Sequence, residues 1–286
     1  MSFNYLFEHY NNDQSPYCFK TFDFITSSIT DKFVTFLEDK SYINLISEYA
    51  IIIFVSNSLR KDWCDDTDRL VVWVNNARTD FFDFLLQWNQ EFKTSISVEL
   101  KLVEGSNCEI HSTCILEGEI VLGNNVKIGP YTRIVGPVVI GDGTEIGSYS
   151  EIGKNGFQIS KGKESVNCRI PHLGRVRIGS YCYIGSYVNI SKSLFSDCTE
   201  IGDNVNIDTF VHISHNVKIG NSCILGSQVV LCGGVLLGNF VQIAPSSVLN
   251  NKVVIVDNVV VGLGSIVIRK LNKSGVYFGN PAMRIP

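Results

Sequence analysis

The chain has 286 residues, of which 45% are hydrophobic and 18% charged, and a formal net charge of −4. That length buries a sizeable core and allows two domains, while the mildly acidic balance points away from nucleic acid and membrane surfaces as partners. Apolar runs such as Ala50 to Val55 are far too short to span a bilayer, and Met1 to Tyr10 lacks the basic region and apolar stretch of a secretory leader, so a cytoplasmic protein without membrane insertion is expected.

Residues 1–30 are aromatic-rich and carry no assignable pattern. From Asp31 the chain alternates between helical and strand signals. Ser41 to Tyr49 reads as a short amphipathic helix, Ala50 to Val55 as a buried strand by its β-branched content, and Arg60 to Asp68 as a charged loop. Leu70 to Val74 reads as a second strand. Ala77 to Phe92 reads as a helix with Phe81, Phe82, Leu85, Trp88 and Phe92 near helical spacing, and Asp80 stands near its start, where negative charge is favoured. A small α/β domain over residues 1–100 follows, the remainder, 101–286, forming a second domain.

That second domain has a period of six. An aliphatic residue recurs at Ile110, Leu116, Leu122, Ile128, Ile134, Ile140, Ile146 and Ile152, then at Ile178, Ile184 and Ile190, then without a miss from Ile201 to Val267. Two places before most of them stands a small or β-branched residue, Cys114 and Cys223 among them. A six-residue period fits neither a helix nor simple strand alternation; it predicts a parallel β-helix of hexapeptides, three to a coil. The 23 periodic positions make between seven and eight coils. Glycines after the aliphatic position, such as Gly123, Gly129, Gly141, Gly147 and Gly153, are expected to serve corners with unusual φ. Residues 154–177 interrupt the repeat as an inserted loop. Ile190 and Ile201 are one residue short of two hexads apart, a frame shift. The tail from Gly275 to Ala282 abandons the period and is expected to cap the last coil. The nine cysteines are odd in number and contain no Cys-x-x-Cys pair, so they read as reduced packing residues rather than disulfides or metal ligands.

Residues 18 apart should stack one coil above another, about 4.8 Å along the axis. His215, two places after Ile213, then lies at an outward corner with Gly233 beside it, a base and a side-chain-free backbone amide facing one cleft.

The combination Asn155-Gly156-Phe157, Ile170-Pro171, Ile207-Asp208, Ile213-Ser214-His215-Asn216-Val217 and Gly275-Val276-Tyr277, with Phe36 to Tyr42 in the first domain, resembles the UDP-3-O-acylglucosamine N-acyltransferases of lipid A synthesis over almost the whole chain. Gly279-Asn280-Pro281-Ala282 is also similar to the ending of sugar acetyltransferases that use acetyl-CoA. The resemblance implies a left-handed β-helix, against the usual right-handed crossover, and a homotrimer with sites between subunits. Three features depart from it. No helices for acyl carrier protein follow the β-helix, Lys252 stands where a second histidine is expected, and Asp39 replaces an asparagine of the nucleobase pocket. These departures favour acyl-CoA as the donor and a nucleotide-linked amino sugar, dTDP- or UDP-linked, as the acceptor. A 4-amino-4,6-dideoxyhexose for a cell-surface glycan fits, with an acetyl or short 3-hydroxyacyl group transferred.

Amide formation from a thioester needs a neutral amine, and histidine is suited to take its proton at neutral pH. His215 is assigned as that base and the Gly233 N–H as the oxyanion donor. His212 is an outward neighbour able to share the cleft, and Asp208 is expected to orient a histidine or meet the sugar. Asn216 is grouped with the substrate contacts. By resemblance, Phe157 and His172 of the inserted loop help form the acceptor site, His172 being the alternative base. Phe36 and Tyr42 stack on a nucleobase with Asp39 at its edge, and Gly279, Asn280 and Pro281 hold the adenine end of CoA, with Lys252 meeting its phosphates. Against these stand ordinary roles: core packing for Phe36 and Tyr42, a solvated corner for His215 or Asp208, a tight turn for Gly233. Three readings compete: a lipid A enzyme using acyl carrier protein, a zinc enzyme of the carbonic anhydrase type, and a non-catalytic β-helix. The zinc reading needs three converging histidines, and only His212 and His215 are close in sequence, so no metal is assigned.

Overall fold

The computed structural model describes residues 21–23, 31–63, 69–93, 99–161, 166–195 and 197–285. The chain divides into two compact units. One comprises Met1–Ser97 together with Phe157–Leu173 and Phe195–Asp197; the other comprises Val98–Gly156, Gly174–Leu194 and Cys198–Pro286.

The first unit holds a parallel four-stranded sheet in sequential order, β1 (Thr21–Phe22), β2 (Phe33–Leu37), β3 (Ala50–Ser56) and β4 (Leu70–Val74). The helix α1 spans Ala77–Lys93. The strand β3 is a continuous apolar run because both of its faces are covered. On one side Phe33, Leu37, Ile53 and Val55 pack with Leu59. On the other, Phe22 and Phe54 meet Phe81 and Phe84 of α1. The side chain of Phe92 lies outside the described ones, as do the first twenty residues. The segment expected to be an amphipathic helix is instead a six-residue 3-10 turn, Lys40–Leu45, that buries nothing. Asp39 opens it by accepting the Ser41 N–H at 2.9 Å, and Ile46 ends it in extended conformation.

The second unit is a left-handed parallel β-helix with three faces of eight coil strands each. Its core is a column of aliphatic side chains, Ile201, Ile207, Ile213, Leu225 and Leu231 among them, all at most 1% exposed. The 18-residue register is explicit: Ile201 pairs with Ile219, Ile207 with Leu225, Ile213 with Leu231. The first coil strand, Lys101–Glu104, precedes the first periodic residue because Glu104 occupies the aliphatic slot opposite Leu122. At the open end that slot is exposed and tolerates a carboxylate.

The small slot two places before each aliphatic residue does more than pack. Thr132, Thr144, Ser150 and Ser247 donate from it to a glycine carbonyl of the following coil at 2.7–3.0 Å, and Cys108, Cys114, Cys182 and Cys223 do so through sulfur at 3.1–3.2 Å. These four, like the other described cysteines, are free thiols, and burial pushes the Cys223 thiol up to about 11. Corner glycines also differ from expectation. Positive φ falls three places after the aliphatic residue, where Tyr131, Tyr149, Tyr187 and Phe210 adopt it and stack ring on ring at 5.0–5.1 Å. Gly147 is needed for close approach instead: a Cβ there would stand 2.7 Å from the Gly185 carbonyl carbon. Of the five glycines expected at strained corners, Gly153 alone has φ in the left-handed region, at +81°.

Two insertions interrupt the coils. The register between neighbouring strands of one face rises from 18 to 38 residues where Val138 pairs with Val176, an insertion of twenty. It rises to 23 where Ile178 pairs with Ile201, an insertion of five over residues 192–197. The supposed frame shift between Ile190 and Ile201 is therefore one ordinary step plus five extra residues. The longer insertion folds as an antiparallel hairpin, Ile159–Lys161 with Asn167–Arg169, and its residues 157–173 group with the α/β unit. The tail adds Gly275–Phe278 parallel to Val259–Val261 and closes with Met283–Arg284 antiparallel.

Replacing a coil residue in mid-solenoid tests the stacking. Leu231→Ala, at a site with no exposure, is expected to cost about 2–5 kcal/mol, read as a lower denaturant midpoint in urea.

Candidate functional site

The strand His212–Ile213 leads into the corner Ser214-His215-Asn216. Val217 follows as the next inward residue. One coil on, the same corner is Cys232-Gly233-Gly234, and the next is Asn250-Asn251-Lys252, since Val230 pairs with His212 and Val248 with Val230. The corners are tied by backbone bonds, Gly234 N–H to His215 C=O at 2.9 Å and Lys252 N–H to Gly233 C=O at 2.9 Å.

The His215 ring lies close against Gly233. A Cβ on residue 233 would stand 2.8 Å from both Cε1 and Nε2 of the imidazole. Gly233 does not have the positive φ that demands glycine, so the requirement at this position is steric: any side chain displaces the ring. Among the described residues the Gly233 N–H makes no hydrogen bond, which leaves it able to serve a ligand.

Asn216 fixes the state of this histidine. Its Oδ1 accepts the Leu194 N–H at 3.0 Å and lies 3.0 Å from His215 Nδ1. An amide oxygen only accepts, so Nδ1 carries the proton and Nε2 is the basic nitrogen of the neutral ring. The Asn216 backbone is held in turn, in left-handed conformation at φ 59°, by donating to Thr199 Oγ1 at 2.9 Å. Asn216 thus contacts the His215 ring through its side chain. Asp208 does not take that part: its carboxylate accepts from the N–H and hydroxyl of Thr209 at the preceding corner.

His212 is half-buried beside Ser214, with Nε2 3.0 Å from the hydroxyl. Burial, then the Lys154 ammonium, holds its pKa below the usual histidine value. Lys154 is paired with Glu151 at 2.8 Å, and Glu151 with Arg133 at 3.2 Å. The sequence singles out neither Lys154, which ends the coil strand Glu151–Lys154, nor Leu194, which arrives through the shorter insertion.

The remaining expected residues fall elsewhere. His172 is 1% exposed within the α/β unit, so it is withdrawn as an alternative base: a substrate amine cannot reach a ring so enclosed. Phe157 is 84% exposed in the same unit. Phe36 packs at 5.0 Å from Phe81, with the Arg78 guanidinium 6.0 Å above it, a core contact with one polar neighbour. Asp39 is exposed, its carboxyl held below the usual range by the Ser41 backbone N–H, and Tyr42 is exposed on the 3-10 turn. Lys252 is exposed, two coils beyond Asn216. Gly279, Asn280 and Pro281 form the final hairpin turn, where Gly279 donates to Ser265 Oγ at 3.1 Å.

Comparison with known proteins agrees with this architecture. Bacterial transferase hexapeptide repeats match residues 119–154 and 198–233. A probable mitochondrial UDP-3-O-acylglucosamine N-acyltransferase of Arabidopsis thaliana is 32% identical over 134 residues, 47% of this chain and 44% of that protein. The UDP-3-O-acylglucosamine N-acyltransferase of Coxiella burnetii is 31% identical over 46% of this chain and 39% of its own. Over these coils the chain is similar to these hexapeptide-repeat acyltransferases. It spans less than half the length of either relative. The solved UDP-N-acetylglucosamine acyltransferase of Campylobacter jejuni shares the fold, with TM-score 0.57 and 24% identity over 66% of this chain and 74% of that one. That of Bacteroides fragilis gives 0.59 and 21% over 66% and 71%. Among the described residues no helix is long and apolar enough to cross a membrane.

Two outcomes are expected here. Lys154→Met should raise the His212 titration midpoint toward the usual histidine value, because it removes a neighbouring cation, as followed by proton NMR of the ring. The sign for stability is set by the depressed folded value. As pH falls through the ordinary histidine range, the unfolded chain binds the proton first. His212 therefore weakens the fold there, and Lys154→Met should reduce that loss. Gly233→Ala should leave the fold intact and displace the His215 ring, seen as a shift of its imidazole resonances.

Proposed function

We propose that this chain transfers an acyl group from acyl-CoA to the amine of a nucleotide-linked amino sugar, as an N-acyltransferase. The observation that supports it best is the His215 ring lying against Gly233, with its Nδ1 proton committed to Asn216. In this reading the sugar ammonium gives up a proton to His215 Nε2, and the neutral nitrogen attacks the thioester carbonyl. The carbon–oxygen double bond opens, and the Gly233 N–H receives the oxyanion. Collapse breaks the carbon–sulfur bond; the imidazolium returns its proton to the leaving thiolate, and the second proton shed by the attacking nitrogen passes to solvent. The products are an amide and free CoA thiol. A general base of this kind contributes roughly 10²–10⁴-fold, and a preorganised oxyanion donor about 2.7–4 kcal/mol.

In the same reading Lys252, on the histidine's own corner, meets donor phosphates, and the hairpin turn Gly279-Asn280-Pro281 holds the adenine end. The exposed Tyr42 and Asp39 and the half-buried Phe36 offer the nucleotide a surface, with Phe157, His212 and Asp208 contacting the sugar. The chain acts as a cytoplasmic homotrimer. A second reading takes its acceptor, UDP-3-O-acylglucosamine, from the names of the relatives and has the acyl group carried on acyl carrier protein. Both readings use the same corner and the same chemistry.

A thiol-release assay separates them, crossing acetyl-CoA, 3-hydroxybutyryl-CoA and acyl carrier protein with UDP- and dTDP-linked amino sugars. Turnover with one pair, lowered at least about 100-fold by His215→Ala, is the expected result. Turnover that survives His215→Ala removes the base assignment; activity with the acyl carrier alone selects the second reading.

A further inference from the structure

In the α/β unit the carboxyl ends of β3 and β4 lie side by side, with Ser56 opposite Val74. That is the end of a parallel sheet at which open α/β folds hold their ligands. A 3-10 turn, Asn57–Leu59, follows β3 and delivers Arg60. Arg60 is exposed, yet its guanidinium is fixed. Its Cζ stands over the Trp73 ring, 5.1 Å from the centroid, and its Nε donates to Asn57 Oδ1 at 3.1 Å. Trp73 is pinned in turn, with Trp63 edge-on at 6.0 Å and both indoles packed against the core on that face of the sheet.

The amides beside Arg60 run in one direction. With its oxygen committed to Arg60, Asn57 donates through Nδ2 to Asn75 Oδ1 at 2.9 Å. Asn75 then has only its NH₂ to offer, and it is exposed. The relay therefore ends in donors on both sides: the Nη1 and Nη2 groups of Arg60 and the amide of Asn75. Among the described residues no carboxylate lies within ion-pair distance of Arg60, and nothing accepts from the Asn75 NH₂. Lys61 follows in sequence and adds positive charge.

An exposed arginine normally keeps its rotamer freedom and must lose it on binding. Here stacking and the Nε bond have already ordered the fork, which removes part of that cost. A planar fork of parallel N–H groups matches two oxygens of an oxyanion. The Asn75 amide adds a donor for a third oxygen, which a phosphate has and a carboxylate lacks. A cation is repelled by Arg60, and an apolar ligand would strand these donors.

We propose that this end of the sheet is a phosphate-binding site, in which Arg60 and Asn75 contact the phosphate while Asn57 and Trp73 hold the fork in place. The site goes beyond the acyltransferase reading and does not rest on it.

The test uses the full chain labelled with ¹⁵N and titrated with inorganic phosphate, UMP and acetate at equal ionic strength. The Arg60 Nε–H and Asn75 NH₂ resonances are the reporters. Phosphate should shift both saturably, and acetate should bind at least about 10-fold more weakly. Arg60→Lys keeps the charge and loses the fork, so the phosphate affinity followed at Asn75 should fall about 10-fold. Asn57→Ala keeps Arg60 and frees it, and the affinity should fall in the same direction by several-fold. If Asn57→Ala fails to fold, Trp73→Phe carries the same comparison, since it weakens the stacking and keeps an aromatic ring in the core. UMP binding more tightly than phosphate marks a nucleotide as the source of the group; equal affinity marks free phosphate, and both support the site. Phosphate affinity unchanged in Arg60→Lys or in the folded positioning variant, or acetate equal to phosphate, overturns it. Failure of the acyltransferase reading would show in the thiol-release assay and leave these titrations as they are.

Discussion

The parallel backbone ladder at an 18-residue register is the constraint on which the β-helix depends. Each two-residue strand is too short to be stable alone, and a single coil leaves its amides exposed above and below. Stacking coils satisfies those amides and buries the aliphatic column in the same step. Because the ladder tolerates no drift, whatever stands at a corner is repeated at a fixed separation one coil on. The placement of Gly233 under the His215 ring is a direct result of that repetition.

Within so regular a frame, chemistry comes from departures. The corner at 214–216 differs from its neighbours in carrying an imidazole where the next coil has no side chain at all. The small slot shows the opposite tendency. Cysteine, serine and threonine there donate to the next coil's carbonyl, so these polar residues inside the solenoid tie one coil to the next. Four of the seven described cysteines stand in this slot and make that bond.

His212 and His215 lie three residues apart and behave differently for reasons of neighbourhood. His212 is pressed by burial and by Lys154 toward its neutral form. His215 meets at Nδ1 an amide oxygen that also accepts a backbone donor from an insertion.

The period of six determined the β-helix, the pairing of His215 with Gly233 and the buried column, because each is a consequence of spacing alone. Apolar content likewise located the strand at Ala50 and the helix from Ala77, where burial and helical spacing agree. Spacing could not place the insertions, since a loop's path depends on what it packs against. It missed that Ile190 and Ile201 are adjacent steps, that residues 157–173 belong with the α/β unit, where His172 is buried, and that a 3-10 helix over Lys40–Leu45 stands in place of the amphipathic helix. Only the tertiary structure brought the Leu194 N–H to Asn216, because a hydrogen bond between residues 22 apart, outside the 18-residue ladder, has no period for a sequence to display.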